Sequence, residues 1–313
     1  MKRRVLVSAP YMQPVLSRFQ EVFAEAEIEL VVPTVREHLN EKELLPLVGN
    51  IEGAICGDDQ FTERVLLAAK RLKVIAKWGT GIDSIDRDAA ARLGIAVYNT
   101  PDAFTEPVAD TVMGYILCFA RQLSWMDRDI RHGLWQKRAS VSLRECTLGV
   151  IGVGNIGKGI IRRAAVFGMR LLGNDIVPIS PGFVVDTGLQ PVSKDELLRQ
   201  ADFVSLNCDL NSTSFQLIGE QEFALMKPTA YLINTARGLV VNERALVETL
   251  RRGTLAGAAL DVFEIEPLPQ DSSLRNMDNV LLAPHNANSS PAAWERVHRK
   301  TIQNLLDHLS APV

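Results

Sequence analysis

Three ionisable side chains in the second half of this chain each come after a short apolar run: Arg237, Glu266 and His285. Short apolar runs bounded by turn-forming residues are typical of buried strands in a parallel sheet. Ligands of such sheets bind beyond the carboxyl ends of the strands. The sequence therefore predicts that a guanidinium, a carboxylate and an imidazole meet at one edge of a sheet.

These three groups suit the reversible reduction of a 2-oxo acid. Arg237 can hold the substrate carboxylate or carbonyl oxygen through its fork of donors. His285 can give a proton to the carbonyl oxygen as a hydride arrives, and can recover it in the reverse direction. Glu266, if it hydrogen-bonds His285, favours the imidazolium form. Taken singly, each residue is also typical of a surface or capping position, so the hypothesis depends on their shared placement.

An earlier segment, residues 148–157, has the pattern of a buried strand that turns into a helix. Three of its glycines, Gly152, Gly154 and Gly157, have G-x-G-x-x-G spacing. The first permits a tight turn, the second leaves room for a pyrophosphate, and the third lets the helix pack close to the strand. Free amides at the helix start attract phosphates. The segment predicts a dinucleotide site, and the alternative is a strand–turn–helix unit without a ligand.

Asp175 follows the next predicted strand and lies 18 residues after Gly157. An acid there accepts hydrogen bonds from the adenosine ribose and repels a 2′-phosphate. No Arg or Lys lies between Asp175 and Lys194 to hold such a phosphate, so we expect NAD rather than NADP. Asp261 is expected to accept a hydrogen bond from the nicotinamide carboxamide. The predicted cofactor-binding residues are Gly152, Gly154, Asn155, Ile156, Gly157, Asp175, Ala236 and Asp261.

Length and composition set broad limits on the class of protein. A chain of 313 residues favours two domains. The net charge of −3 argues against nucleic acid or an anionic membrane as a partner. The four cysteines lie far apart, which favours free thiols in the cytoplasm and no metal site. We find no apolar run long enough for a signal peptide or a membrane span.

Strand and helix patterns alternate twice along the chain. The first hundred residues alternate short apolar runs with amphipathic stretches, and a long apolar helix is expected over residues 105–124. The alternation resumes at residue 148, and a final helix is expected over residues 291–309. Alternation of this kind predicts an α/β fold with two doubly wound parallel sheets.

The motifs together resemble the D-isomer-specific 2-hydroxyacid dehydrogenases, which include phosphoglycerate dehydrogenase and glyoxylate/hydroxypyruvate reductase. The resemblance covers nearly the whole chain. Besides the glycine loop and Asp175, it depends on KWGTGID at 77–83, NTP at 99–101, NTARG at 234–238, DVFEIEP at 261–267 and PH at 284–285.

This resemblance implies roles for individual residues. Arg237, Glu266 and His285 would be catalytic, and backbone amides near Gly79 to Gly81 would bind the substrate carboxylate. Tyr11 and Met12, which follow the first predicted strand, and the side chains around Trp78 and Phe104 are expected to shape the substrate pocket. The substrate-binding residues that it implies are Trp78, Gly79, Thr80, Gly81 and Arg237.

The resemblance also implies an architecture and an assembly. A Rossmann cofactor domain at residues 102–285 would be inserted into a flavodoxin-like substrate domain made of residues 1–101 and 286–313. A hinge between the two would let them close during hydride transfer. The family is typically dimeric, so a homodimer is expected.

Two acids after the third predicted strand, Asp58 and Asp59, stand where phosphate-binding relatives commonly have an Arg-Ser pair. Acids near a substrate cleft disfavour a phosphate. We therefore expect a small non-phosphorylated 2-hydroxy acid, of the glycerate/hydroxypyruvate or glyoxylate type. The alternative is that the two acids merely cap the following helix.

Rival functions remain open at the level of sequence. A D-3-phosphoglycerate dehydrogenase is one, and a non-catalytic NAD-sensing protein of the same superfamily is another. A formate dehydrogenase is less consistent with the sequence, because such enzymes resemble this chain but have Gln where Glu266 stands. Asn286 and Asp209 depart from the family pattern and leave details of the cofactor contacts open.

Overall fold

The computed structural model describes residues 2–310. The chain forms two compact units, one made of residues 2–104 and 290–310 and the other of residues 105–289. The divisions fall shortly after the predicted ones at 101/102 and 285/286. The second unit is thus inserted, in sequence, between two segments of the first.

The first unit contains a five-stranded parallel sheet in the order β2-β1-β3-β4-β5. Its strands are β1 (Arg3–Val7), β2 (Ile28–Val31), β3 (Gly53–Cys56), β4 (Val74–Lys77) and β5 (Ala96–Tyr98). Its α-helices are α1 (Gln20–Glu25), α2 (Glu41–Leu44), α3 (Glu63–Ala68), α4 (Arg87–Arg92) and α12 (Pro291–Ser310). Short 3₁₀ helices span Gln13–Phe19 and Val48–Asn50. This strand order is that of flavodoxin-like folds.

Local sequence explains where the helices of this unit begin. Asn40 caps α2 by accepting from the amides of Lys42 and Glu43, and Glu43 accepts from the Asn40 amide in return. The Thr62 hydroxyl caps α3 in a similar way. Such caps satisfy amides that have no partner within the helix.

The last helix, α12, packs against β3 and β4 of this sheet. A Cβ placed on Gly53 would lie 2.8 Å from the Leu305 side chain, so glycine lets the helix lie close to the strand. Leu305 is fully buried. The two ends of the described chain therefore share one core.

The second unit contains a seven-stranded parallel sheet in the order β12-β11-β10-β9-β6-β7-β8. Its strands are β6 (Thr147–Ile151), β7 (Arg170–Asn174), β8 (Gln190–Pro191), β9 (Phe203–Leu206), β10 (Tyr231–Asn234), β11 (Gly257–Leu260) and β12 (Val280–Leu282). Its α-helices are α5 (Thr105–Arg121), α6 (Leu123–Arg131), α7 (Asn155–Val166), α8 (Pro181–Thr187), α9 (Lys194–Gln200), α10 (Glu220–Leu225) and α11 (Glu243–Arg251). Short 3₁₀ helices span Leu143–Glu145, Gly238–Val240 and Ser273–Asn276.

This order is the Rossmann arrangement with one strand added, and the strand order reverses between β6 and β9. Both faces of the sheet are covered, because alternate residues of β9 enter different cores. Phe203 packs with residues of α5 and α7, whereas Val204 and Leu206 pack with residues of α9 and α11. The predicted fold class, two doubly wound parallel sheets, is confirmed.

One predicted helix is wrong in its extent. The apolar pattern predicted a single helix over residues 105–124, but α5 ends at Arg121 and α6 begins at Leu123. Gln122 between them has a φ of 54°, in the left-handed region, which breaks the helix. The apolar pattern continues across the break, so hydrophobic periodicity alone does not reveal it.

Candidate active site

The glycine loop leaves the carboxyl end of β6 and enters α7. Gly152 has a φ of +87°, and a Cβ there would lie 2.6 Å from the Asn207 carbonyl carbon. A Cβ on Gly157 would overlap the Gly152 carbonyl oxygen. A Cβ on Gly154, in contrast, would meet nothing within 4 Å. The first and third glycines are therefore required by packing, and the second leaves open space beside the loop.

The start of α7 has the features of an anion site. Gly154 is the N-cap and has no side chain to satisfy the first amides. Asn155 begins the helix on its exposed side, whereas Ile156 is half-buried and packs against the core. The open cradle at Gly154 and the uncapped helix start fit the pyrophosphate of a dinucleotide.

Asp175 joins the end of β7 to this loop. One carboxylate oxygen accepts a hydrogen bond from the Val153 amide at 2.6 Å, and the other accepts from the Val177 amide at 2.9 Å. The carboxylate is therefore fixed beside the glycine loop. Each oxygen keeps a second lone pair, so the predicted contact with ribose hydroxyls is compatible with these bonds.

His285 and Glu266 form a hydrogen-bonded pair. The distance from His285 Nδ1 to Glu266 Oε2 is 2.8 Å, and each side chain is 21% exposed. The other Glu266 oxygen, Oε1, accepts from the Phe263 amide at 2.9 Å. Because both carboxylate oxygens are engaged, the glutamate holds the imidazole in one orientation.

Asp261 holds the backbone of the turn that carries His285. Its carbonyl oxygen accepts from the His285 amide, and its carboxylate accepts from the amides of Asn286 and Ala287 at 2.8 and 2.9 Å. His285 has a φ of 52°, a left-handed conformation that these bonds maintain. Burial raises the pKa of Asp261, while the two amide bonds act in the opposite direction. Contact with a carboxamide remains a prediction.

Arg237 follows β10 in a turn shaped by Asn234. The Asn234 side chain donates to the Arg237 carbonyl at 2.9 Å and accepts from the Ala236 amide at 3.1 Å. Gly238 lies so close to the next loop that a Cβ there would overlap the peptide between Phe263 and Glu264. The turn and its glycine therefore set where the Arg237 side chain begins.

Strands β10, β11 and β12 are neighbours in the sheet. Arg237, Glu266 and His285 consequently lie beyond the carboxyl ends of three adjacent parallel strands, as the sequence predicts. Sequence reasoning missed the positioning roles of Asn234 and Gly238. The signal was present, since Asn often bonds the backbone two residues ahead in a turn.

The predicted carboxylate-binding loop lies in the first unit, after β4. Gly79 has a φ of +125°, which disfavours any other residue. The loop is tied to the segment after β5: the Thr100 amide donates to the Gly79 carbonyl, and the Thr80 hydroxyl donates to the Thr100 carbonyl. The Asn99 side-chain amide donates to the Thr80 carbonyl. The path of the backbone from Gly79 to Gly81 is therefore fixed.

Trp78, which precedes this loop, is buried among other rings. Its Nε1 donates to His298 Nδ1 at 2.9 Å, and burial lowers the pKa of that histidine. Its ring centroid lies 5.3 Å from Tyr11 and 5.7 Å from Phe104. The side chain thus has a clear packing role, and its predicted contact with substrate remains a prediction.

The two acids after β3 have separate environments. The Asp59 carboxylate is fully buried and accepts from the Ser8 hydroxyl and the amides of Gly57 and Leu39. Burial raises its pKa. Asp58 instead pairs with Lys77 at 3.1 Å. Neither caps α3, which Thr62 caps, so the helix-capping alternative is wrong.

The described residues offer neither a membrane span nor a metal cluster. None of the helices within residues 2–310 is long and apolar enough to cross a membrane. Over the same residues, no group of three or more His, Cys, Asp or Glu side chains is placed to hold a metal ion.

Comparison with known proteins defines the class. Residues 113–287 match the family described as "D-isomer specific 2-hydroxyacid dehydrogenase, NAD binding domain". A glyoxylate reductase of Korarchaeum cryptofilum is 35% identical, over 98% of this chain and 92% of that protein. A D-3-phosphoglycerate dehydrogenase of Methanocaldococcus jannaschii is 36% identical over 93% of this chain, which spans 54% of that protein.

A solved structure agrees with this class. The D-lactate dehydrogenase of Aquifex aeolicus, complexed with NAD and lactic acid, has a TM-score of 0.89 at 28% identity, covering 98% of this chain and 95% of that one. The protein is an oxidoreductase that uses NAD and acts on CH–OH groups. The chain belongs to the D-isomer-specific 2-hydroxyacid dehydrogenases.

Proposed function

We propose that this dehydrogenase interconverts a small, non-phosphorylated 2-oxo acid and its D-2-hydroxy acid, of the glyoxylate or hydroxypyruvate/glycerate type. The observation that carries the proposal is the 2.8 Å pair of His285 and Glu266 beyond β12, on the sheet edge to which Arg237 and the glycine loop also belong. A proton donor, a fixed carboxylate and a guanidinium are the groups that this reaction needs.

The proposed reaction divides between cofactor and side chains. NAD, when bound, supplies or accepts the hydride. In the reductive direction, protonated His285 donates the Nε2 proton to the substrate carbonyl oxygen, because its Nδ1 is held by Glu266. The imidazole is left neutral and recovers a proton in the reverse reaction. Arg237 holds the substrate carboxylate or carbonyl oxygen through its parallel N–H groups.

The proposed cofactor seat combines the glycine loop with Asp175. Amides at the start of α7 would hold the pyrophosphate, and the Asp175 carboxylate would accept from the ribose hydroxyls. Ile176 and Val177, which follow this acid, are exposed apolar side chains and suit the face of an adenine. Sequence reasoning did not single them out, although their apolar type directly after the acid was a usable signal. Ala236 and Asp261, at the opposite end of the edge, would contact the nicotinamide.

The proposed substrate carboxylate site is the loop from Gly79 to Gly81. Its rigid path and its position after a buried strand support the assignment, since backbone amides at such sites bind anions. The rings of Tyr11, Phe104 and Trp294 lie around the preceding Trp78. Aromatic surroundings favour a compact, uncharged remainder of the substrate over a phosphate.

The proposed assembly is a homodimer, and the proposed location is the cytoplasm. Apolar side chains at the end of α6 and just after it support the first part: Ile130 and Leu134 are exposed, and Trp135 is 92% exposed. Large apolar side chains that are exposed and close together in sequence are a reason to expect a protein–protein contact. The four free cysteines support the second part, because they suit a reducing compartment.

An NADH-oxidation assay over a panel of 2-oxo acids tests the proposal. The panel contains glyoxylate, hydroxypyruvate, pyruvate, 2-oxoglutarate and 3-phosphohydroxypyruvate. We expect the highest kcat/KM for glyoxylate or hydroxypyruvate. A preference for 3-phosphohydroxypyruvate would instead identify a phosphoglycerate dehydrogenase. Tight NADH binding with no turnover of any panel member would favour the NAD-sensing alternative.

A further inference from the structure

We propose that Lys77 and Asp58 act together as a charge filter that restricts the substrate to 2-oxo acids with a single negative group. Lys77 would support the substrate carboxylate at the Gly79–Gly81 loop, and Asp58 would repel a second anionic group. This inference rests on the proposed function, because it takes that loop as the carboxylate site. It makes both residues specificity determinants of the reaction.

The position of Lys77 supports the first half of the proposal. It is the last residue of β4 and is only 3% exposed. Its Nζ donates to the Trp78 carbonyl at 3.2 Å, and a Cβ placed on Gly79 would lie 3.5 Å from it. The ammonium therefore lies directly behind the start of the predicted anion-binding loop. A positive charge there strengthens the attraction of the loop for a carboxylate.

Burial makes this cation costly, and Asp58 compensates for it. An ammonium removed from water is unfavourable unless an opposite charge lies nearby. Asp58 Oδ1 lies 3.1 Å from Lys77 Nζ. The pair is held by the sheet, since Cys56 and Lys77 are opposite each other in register and the Trp78 amide donates to the Cys56 carbonyl.

The two members of the pair differ in exposure. The Lys77 side chain is enclosed, whereas the Asp58 side chain is 40% exposed. One carboxylate of a substrate can thus be attracted through the loop, but a second anionic group on the same molecule meets the exposed carboxylate. Like charges repel strongly where water is partly excluded.

Asp59 supplies a matched comparison one residue further on. It carries the same functional group, but three hydrogen bonds from Ser8, Gly57 and Leu39 enclose it, and it is fully buried. Asp59 therefore has a structural role. We therefore expect Asp58→Asn and Asp59→Asn to have different effects on the preference between singly and multiply charged substrates.

The experiment measures kcat/KM in wild type and Asp58→Asn for glyoxylate, which has one charge, and for oxaloacetate, 2-oxoglutarate and 3-phosphohydroxypyruvate, which have two or more. We expect the kcat/KM for multiply charged substrates, divided by the kcat/KM for glyoxylate, to rise about tenfold in the variant. The rise should shrink in high salt, because salt screens partly exposed charges. An unchanged ratio would overturn the proposal.

Three further variants separate the filter from a structural effect. Asp59→Asn should lower the melting temperature without changing the ratio. Asp88→Asn, at an exposed position in α4, removes the same charge elsewhere in the unit and should also leave the ratio unchanged. Lys77→Met should raise KM for glyoxylate while leaving the Kd for NADH unchanged. If Asp59→Asn and Asp88→Asn raise the ratio of kcat/KM values as Asp58→Asn does, the effect is not local and the filter is contradicted.

The outcomes distinguish this inference from the proposed function. If wild type reduces glyoxylate or hydroxypyruvate and Asp58→Asn leaves the charge ratio unchanged, the filter is wrong and the proposed function stands. If wild type reduces no singly charged 2-oxo acid, the proposed function is wrong and the filter fails with it.

Discussion

His285 is held by two acids that act on different parts of the residue. Glu266 bonds the imidazole, and Asp261 bonds the backbone on both sides of the left-handed turn. A left-handed conformation at a residue other than glycine is strained, and such strain persists only where surrounding bonds maintain it. The ring orientation and the turn are therefore set independently, which lets each be tested by substitution.

Replacing His285 with Ala tests the proposed proton donor. Loss of a general acid–base group lowers turnover by about 10²- to 10⁴-fold. We expect a fall in this range in steady-state NADH oxidation, with the Kd for NADH near that of wild type by fluorescence titration. Glu266→Gln should lower turnover less, because an amide oxygen can still accept from Nδ1–H. Unchanged turnover in His285→Ala would exclude this residue as the donor.

The elements that carry the site are predictable from sequence, but several of their contacts are not. Strands β10, β11 and β12 are short and apolar, so their ends, and the residues that follow, can be read from the pattern. Asp58 and Asp59 show the limit. Their different environments depend on Lys77 and Leu39, which are distant in sequence. The amino-acid sequence does not indicate which of the two acids contacts which partner.

The break at Gln122 shows a second limit. The apolar residues of α5 run on into Leu123 and Trp125 at the start of α6, and only a backbone change at Gln122 divides the two helices. Hydrophobic periodicity reports which face is buried, whereas the turn depends on packing of the finished unit. Helix bounds are consequently less predictable than helix existence.

Gly238 links two loops of the site, and its replacement tests that packing. In Gly238→Ala the new methyl group would overlap the Phe263–Glu264 peptide, so one loop must shift. We expect a loss of about 1–3 kcal/mol in the free energy of unfolding, as for other overpacked sites, together with reduced turnover. Chemical denaturation and the NADH assay measure the two effects.

Gly114→Ala is the matched control for this prediction. Gly114 lies within α5, and a Cβ there would meet nothing within 4 Å. Because Ala favours the helix over Gly, this variant should be more stable by about 0.5–1 kcal/mol. Equal stability of the two variants would contradict the packing role of Gly238.

At the scale of the whole molecule, the exposed apolar residues after α6 concern assembly. Trp135 is the most exposed of them. If this surface joins two copies, Trp135→Glu places a charge in the contact and should shift the protein from dimer to monomer in light-scattering measurements. Val166→Glu is the control, because Val166 is also an exposed apolar residue of the second unit. A wild-type monomer, or dimers in both variants, would contradict the proposed interface.

The packing of α12 on β3 and β4 has a consequence for how the protein is made. Residues 105–289 form a compact unit from one continuous stretch of chain, whereas the first unit needs segments from both sides of it. During synthesis, all of residues 105–289 emerge from the ribosome before α12 does. The first sheet lacks this helix, and the contact of Leu305 with Gly53, until then. Domains generally fold as units as they emerge. The five-stranded sheet is therefore completed after the inserted unit, although its strands are synthesised before it.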